Sequence, residues 1–154
     1  MEQVRVIRIP ELKVVTSGPI TNMEEFEAFD NWWSSINTKD YITPRDFMWF
    51  NEQKQCMEWV FAIPDGCTDF DKYQLVVFPG GLYAVATSKD TEEDSVKTRE
   101  EINNWVLKSD CFEVSTKEND TSLRYPMCHV ITPKVFKKNM GYHLSDQFIP
   151  IVVK

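Results

Sequence analysis

One carboxylate stands inside an otherwise apolar word. In "MEWVFAIP", residues 57–64, Glu58 lies between Met57 and Trp59. A carboxylate in such a run either reaches solvent or finds partners, because burying it unpaired is costly. On a strand, Glu58, Val60 and Ala62 share one face, while Met57, Trp59 and Phe61 share the other. Surrounded by aromatic rings, a carboxylate can hold a cation through its charge and the ring quadrupoles. It can also orient or deprotonate a water molecule. Asp146, at the start of the closing apolar run, is a lesser candidate of the same kind.

The remaining reactive groups are sparse. Cys128 and His129 are neighbours, and on a strand they point to opposite faces, a poor arrangement for a thiolate–imidazole pair. The other cysteines, Cys56, Cys67 and Cys111, form no CxxC and match no zinc-ligand spacing, so all four are read as reduced thiols. No P-loop, GxGxxG, HExxH or GxSxG occurs. No catalytic residue, metal set or cofactor is assigned.

The 154-residue chain carries a net charge of −7, with 42% hydrophobic and 27% charged residues. Its longest basic cluster is "FKKN" at 136–139, too little to neutralise a phosphate backbone, so no direct nucleic-acid partner is expected. No run approaches a membrane span, and "MEQVRVIRIPELK" has no apolar signal core, so a cytoplasmic protein is expected. Five tryptophans and ten phenylalanines exceed what Glu58 needs as a wall, and most belong to the core. Trp33, Trp49, Trp59, Tyr83, Trp105 and Phe148 are the candidate wall residues. Trp32 and Trp33 diverge by about 100° on a helix, so both cannot face the core. His129 would add pH dependence if it faced the same space.

These side chains need elements to position them. "VRVIRI" and "LKVVTS" read as a strand broken or bulged at Pro10. In "ITNMEEFEAFDNWWSSIN", Phe26, Phe29, Trp33 and Ile36 fall on one helical face, with Thr21 or Asn22 as the cap. "FMWFN" and "CMEWVFAIP" read as a hairpin around the polar turn "EQKQ". "YQLVVF" and "LYAVATS" straddle Pro79-Gly80-Gly81. A second helix runs through "EEDSVKTREEINNWVLKSD", with Val96, Ile102, Trp105 and Val106 inward. "CFEVS", "YPMCHVIT" and "DQFIPIVV" read as strands, and "PKVFKKNMGYH" as a loop.

The order is strand, helix, strand, strand, twice. "IP…VVTS" corresponds to "FPGG…AVATS", and "DNWWSSIN" to "NNWVLKSD", which pairs Trp32 with Trp105. Such a duplication points to an α+β fold. Repeat one spans about residues 1–70 and repeat two about 71–154. Together they make one curved antiparallel sheet carrying two helices, with a cleft at the pseudo-twofold axis. The glycines at 80 and 81 would serve a bulge, or a close backbone approach, at the bend the halves share.

In this order, "MEWVFAIP", "FPGGLYAV", "NNWV" and "DQFIPIVVK" resemble the AraC-type effector-binding domain, also called the GyrI-like small-molecule-binding family. The resemblance covers essentially the whole chain and implies a stand-alone member. It implies a duplicated strand–helix–strand–strand fold that binds a small organic molecule in an aromatic cleft. The family's acidic residues suit cationic ligands, and Glu58 matches the one in the third strand. A second glutamate, usual in a "P-x-x-E" word, is replaced here by Cys128-His129.

The leading expectation is therefore non-enzymatic binding of a small hydrophobic, cationic molecule, linked to drug sensing or transcription regulation. The expected ligand-binding residues are Glu58, Trp33, Trp49, Trp59, Tyr83, Trp105, His129 and Phe148. A hydrolase of strained or electrophilic molecules is the alternative, with Glu58 activating water and Tyr83 as acid. A third reading is a protein-interaction module such as a gyrase inhibitor. A homodimer or a protein partner is compatible with each.

Overall fold

The computed structural model describes residues 3–36, 46–63 and 66–154. The segment 37–45 and the end of "MEWVFAIP" at Pro64 lie outside the described residues. In chain order the elements are β1 (Arg5–Ile9), β2 (Leu12–Ile20), α1 (Met23–Ile36), β3 (Asp46–Asn51), β4 (Cys56–Ala62), β5 (Gln74–Phe78) and β6 (Gly81–Lys89). Then come α2 (Glu92–Leu107), β7 (Phe112–Val114), β8 (Met127–Val130), α3 (Lys134–Met140) and β9 (Leu144–Val153). Among the described residues nine strands form one antiparallel sheet in the order β1-β6-β9-β8-β3-β4-β2-β5, with β7 added on β9. The fold is α+β, a strand–helix–strand–strand unit used twice, and β3 joins the halves by pairing with β8 at Met48–Cys128 and Trp49–Met127.

The second link between the halves is a pair of bent strands. β1 pairs with β6 and β2 pairs with β5, and the register runs without a slip from Arg5–Val85 through Ile9–Gly81 and Leu12–Phe78 to Thr16–Gln74. The bend falls where Pro10 lies opposite Gly80. A Cβ on Gly80 would stand 2.6 Å from the Glu11 amide nitrogen and 2.9 Å from the Pro10 carbonyl carbon. Gly80 is thus required by close approach of two main chains. The break expected at Pro10 is a bend in unbroken register. The bulge lies further along β2, between Thr16 and Pro19, where Gly18 takes φ +70°.

Both long helices pack on one face of the sheet. α1 is capped by Asn22, whose Oδ1 accepts from the Glu25 amide at 2.9 Å, while Glu25 reaches back to the Thr21 amide at 2.7 Å. Its apolar side seats Phe29, fully buried, against Val15, Trp59 and Phe61. Burying one such ring contributes about 1.5–3 kcal/mol. α2 starts from Thr91, whose hydroxyl accepts from the Asp94 amide at 3.2 Å. Its buried stripe is Thr98, Ile102 and Val106, laid over Ala84 and Ala86 of β6. Val96 and Trp105, expected inward, are 43% and 38% exposed. The i, i+4, i+8 stripe lies over small alanines and leaves them on its flanks. None of these helices is long and apolar enough to cross a membrane.

The helix α3 stands where the sequence reads as a loop. None of its residues is buried, so it carries no apolar period to read. Gly141, at φ +82°, ends it, with its amide donating to the Lys137 carbonyl at 2.8 Å.

Candidate functional site

The face away from the helices is aromatic. Trp49, Phe78, Tyr83, Tyr125 and Phe148 are buried there with Val14, Val60, Val85 and Met127. At the end formed by the first repeat this face opens into a cleft of about 650 Å³. Its walls come from the β2 bulge, β3, β4, β5 and the loop before β8. Strand alternation puts Glu58 on this face with Val60, and sends Trp59 and Phe61 to α1.

Glu58 is 3% exposed and fully partnered. Its Oε2 accepts from the Thr16 hydroxyl and the Trp49 indole N–H, each at 3.3 Å. Its Oε1 accepts from the Asn51 amide at 3.2 Å and from the Lys54 ammonium at 2.8 Å. A carboxylate offers about four lone-pair directions, and four donors use them. Each donor is placed by a local device. The bulge turns Thr16 so that its hydroxyl also accepts from the Gly18 amide at 3.0 Å. Asn51 organises the β3–β4 turn, its Oδ1 accepting from the amides of Gln53 and Lys54, each at 3.1 Å. The hydrogen bond to Glu58 pushes the Lys54 ammonium pKa above its usual value.

Tyr125 completes the cleft and is 5% exposed. It stands edge-on to Trp49, with ring centroids 5.4 Å apart. Its hydroxyl is buried and has no hydrogen-bond partner. Burial, and then the negative charge of Glu58, push its phenol pKa up. The neighbouring Arg124 anchors this loop by donating to the carbonyls of Leu82 at 2.6 Å and Ile151 at 3.0 Å, and to Asp120 at 2.6 Å. Lys72 and Tyr73 also line the cleft.

The expected wall residues divide between the two faces. Glu58 and Trp49 line the cleft together. Tyr83 and Phe148 belong to the aromatic core behind it, 6.1 Å apart and edge to face. His129 is on the same face but farther along, packed 5.1 Å from the Phe47 ring, with Nδ1–H donating to the Asp46 carbonyl at 2.6 Å. Trp33 and Trp59 pack with each other under α1, 5.7 Å apart, and the Trp59 indole donates to Asp46 at 2.8 Å. Trp105 of α2 stacks on Phe112 of β7. These three tryptophans are therefore on the helix face and not in the cleft, because alternation along β4 and the helix positions turn them away. Cys128 points to the helix face and His129 away from it, and burial pushes the Cys128 thiol up to about 11.

Thr16, Asn51, Lys54 and Tyr125 were missed. Three are polar groups that only the bulge and the turn bring to Glu58, and Tyr125 sits in a loop word, "SLRYPM", without periodicity.

No family model and no curated protein matches the sequence. Solved structures do match in shape. The C-terminal domain of EcmrR superposes with a TM-score of 0.68 at 11% identity, covering 99% of this chain and 98% of that one. Against the EcmrR chain in its DNA complex the TM-score is 0.67 at 12% identity, and the match spans 97% of this chain and 57% of that one. SAV2435 bound to tetraphenylphosphonium matches with a TM-score of 0.53 at 12% identity, over 99% of this chain and 94% of that one. A hydrolase from Listeria innocua matches with a TM-score of 0.62 at 13% identity, over 97% and 92%. In fold, the chain is that of the EcmrR C-terminal domain and SAV2435, the fold that its resemblance to GyrI-like effector-binding domains implies.

Proposed function

We propose that the chain binds a small, largely apolar organic molecule in the Glu58 cleft and does not turn it over. In its finer form the reading makes the ligand cationic and the protein a cytoplasmic sensor or sequestering agent. The observation that carries it is a buried carboxylate on the aromatic face of an open cleft, beside a phenol hydroxyl without a partner. Trp49 and Tyr125 offer ring faces and edges to a flat or propeller-shaped ligand, and Glu58 supplies negative charge. Binding of tetraphenylphosphonium by SAV2435 supports the cationic form by likeness of fold.

Hydrolysis fits the geometry less well. The Glu58 oxygens are fully occupied. Tyr83, the expected acid, is 1% exposed, and burial holds its phenol up at about 12. Titration of tryptophan fluorescence with tetraphenylphosphonium and other aromatic cations tests the proposal. Saturable quenching that Trp49→Phe reduces is the expected result, followed by recovery of intact compound after long incubation. Absence of quenching across a broad panel of aromatic ligands, charged and neutral, would reject it.

A further inference from the structure

We propose that Lys54 is the specificity-determining residue of this cleft, a built-in cation that a cationic ligand must displace from Glu58. The inference rests on the cleft being the ligand site. All four lone-pair directions of Glu58 are used, and its charge is already balanced by Lys54, so an incoming cation gains little from Glu58 while Lys54 stays. Thr16, Trp49 and Asn51 are 6–7% exposed, held in strands, and cannot leave without disturbing the sheet. Lys54 is the exception. It is the only charged donor of the four, it sits on the β3–β4 turn, and its side chain is 55% exposed against 3% for Glu58. Swinging into solvent unburies no part of the fold, so what Lys54 forfeits is this one charge-assisted contact, whereas Glu58 cannot follow it.

The turn is built to deliver this ammonium. Asn51 fixes the Lys54 amide with its Oδ1 while its Nδ2 touches the same carboxylate oxygen that Lys54 reaches. One side chain thus sets both the turn and the distance across it. With Lys54 in place the pair is neutral. Lys72, which also lines the cleft, adds a positive charge, set against the ring of Tyr73 at 5.6 Å. The resting cleft is thus not a negative hole, although the chain carries −7 overall. A cation gains Glu58 only by exchange, and an uncharged or anionic aromatic molecule enters without competition. The unpartnered Tyr125 hydroxyl offers it a hydrogen bond.

Two probes of nearly the same shape and opposite charge test this: tetraphenylphosphonium and tetraphenylborate. Both are titrated against wild type, Lys54→Gln, Lys54→Arg and the double variant Lys54→Gln/Glu58→Gln. The expected result is that Lys54→Gln tightens phosphonium about tenfold, the worth of one charge-assisted contact, and weakens borate. Lys54→Arg should behave as wild type, and the double variant should lose the gain. Lys54→Met serves if Lys54→Gln melts at a lower temperature. If wild type binds phosphonium and removal of Lys54 leaves the phosphonium-to-borate preference unchanged, the competition is overturned while the cleft stands. If neither probe binds any variant, the exchange is overturned, and the broader aromatic panel decides the cleft by itself.

Discussion

Glu58 on β4 and Asp146 on β9 are each held by the threonine that the two halves share, although they stand at different register positions, since Thr87 lies opposite Asp146 while Thr16 lies opposite Val60. Thr16 of β2 donates to Glu58 at 3.3 Å, and Thr87 of β6 donates to Asp146 at 2.6 Å. The sequence echo "VVTS" and "VATS" is the trace of this repeat, since each threonine stands on the strand that precedes a long helix. The two carboxylates differ in setting. Asp146 pairs with Arg5, which is 44% exposed, and it is not among the residues that line the Glu58 cleft. Asp146→Asn should leave ligand affinity in the Glu58 cleft unchanged. It should cost only about 1 kcal/mol of stability, because solvent screens the Arg5 pair. Parallel urea melts and ligand titrations would show it. A loss of affinity without a loss of stability would place the ligand at the wrong end of the sheet.

Glu58→Gln is expected to be less innocent than its shape suggests. All four contacts run from a donor to a carboxylate oxygen. An amide turns one of those oxygens into a donor facing donors. Because the position is 3% exposed, the mismatch should cost about 1–3 kcal/mol. Among the molecules that still fold, aromatic cations should weaken about tenfold more than neutral aromatics of equal size. Denaturation midpoints and paired titrations measure the two effects separately. Equal weakening of both ligand classes would mean that the cleft selects by ring area and shape.

The face that Glu58 takes was legible, because β4 alternates strictly and the carboxylate must follow Val60. The duplication was legible too, through Thr16 and Thr87 and through the paired helices. What surrounds Glu58 was not. Lys54 and Asn51 meet it across a turn, and Thr16 reaches it through a bulge, and neither local spacing has a period to read. Trp59 shows the opposite failure. Its type suits a ligand wall, yet parity along β4 commits it to α1, where it stacks on Phe26 at 4.7 Å. Composition nominates aromatics for a site, and strand parity decides which of them reach it.

Gly80 makes a sharper structural test than any core residue. The atoms nearest a new Cβ there are main-chain atoms of Pro10 and Glu11, so no side chain can swing aside. The paired strands must separate at the bend that joins the two halves. Gly80→Ala should cost about 1–3 kcal/mol, as overpacking in a tight core does. Its melting temperature should fall without loss of strand content by circular dichroism. A variant as stable as wild type would show that the bend yields easily, and that close approach is not why glycine stands there.

Two buried acids predict how the fold fails in alkali. Burial raises the Tyr83 phenol from 10.0 to about 12 and the Cys128 thiol from 9.0 to about 11. Both groups are neutral when protonated, and both bind their proton more tightly folded than unfolded. Their stabilising effect is therefore whole below the unfolded pKa and drains away as pH climbs towards the folded one. Between pH 9 and 12 the unfolded chain gives up these protons first, so stability should fall by about 2–3 kcal/mol for each group. Urea midpoints measured from pH 7 to 12 should stay flat at first and then drop. Cys128→Ala should remove the part between pH 9 and 11, and Tyr83→Phe the part between 10 and 12. At pH 8 the exposed Cys111 should react with a thiol reagent well before Cys128. If Cys128 were modified as fast as Cys111 with the fold intact, or if Tyr83→Phe lost stability in alkali as steeply as wild type, burial would not be holding these protons.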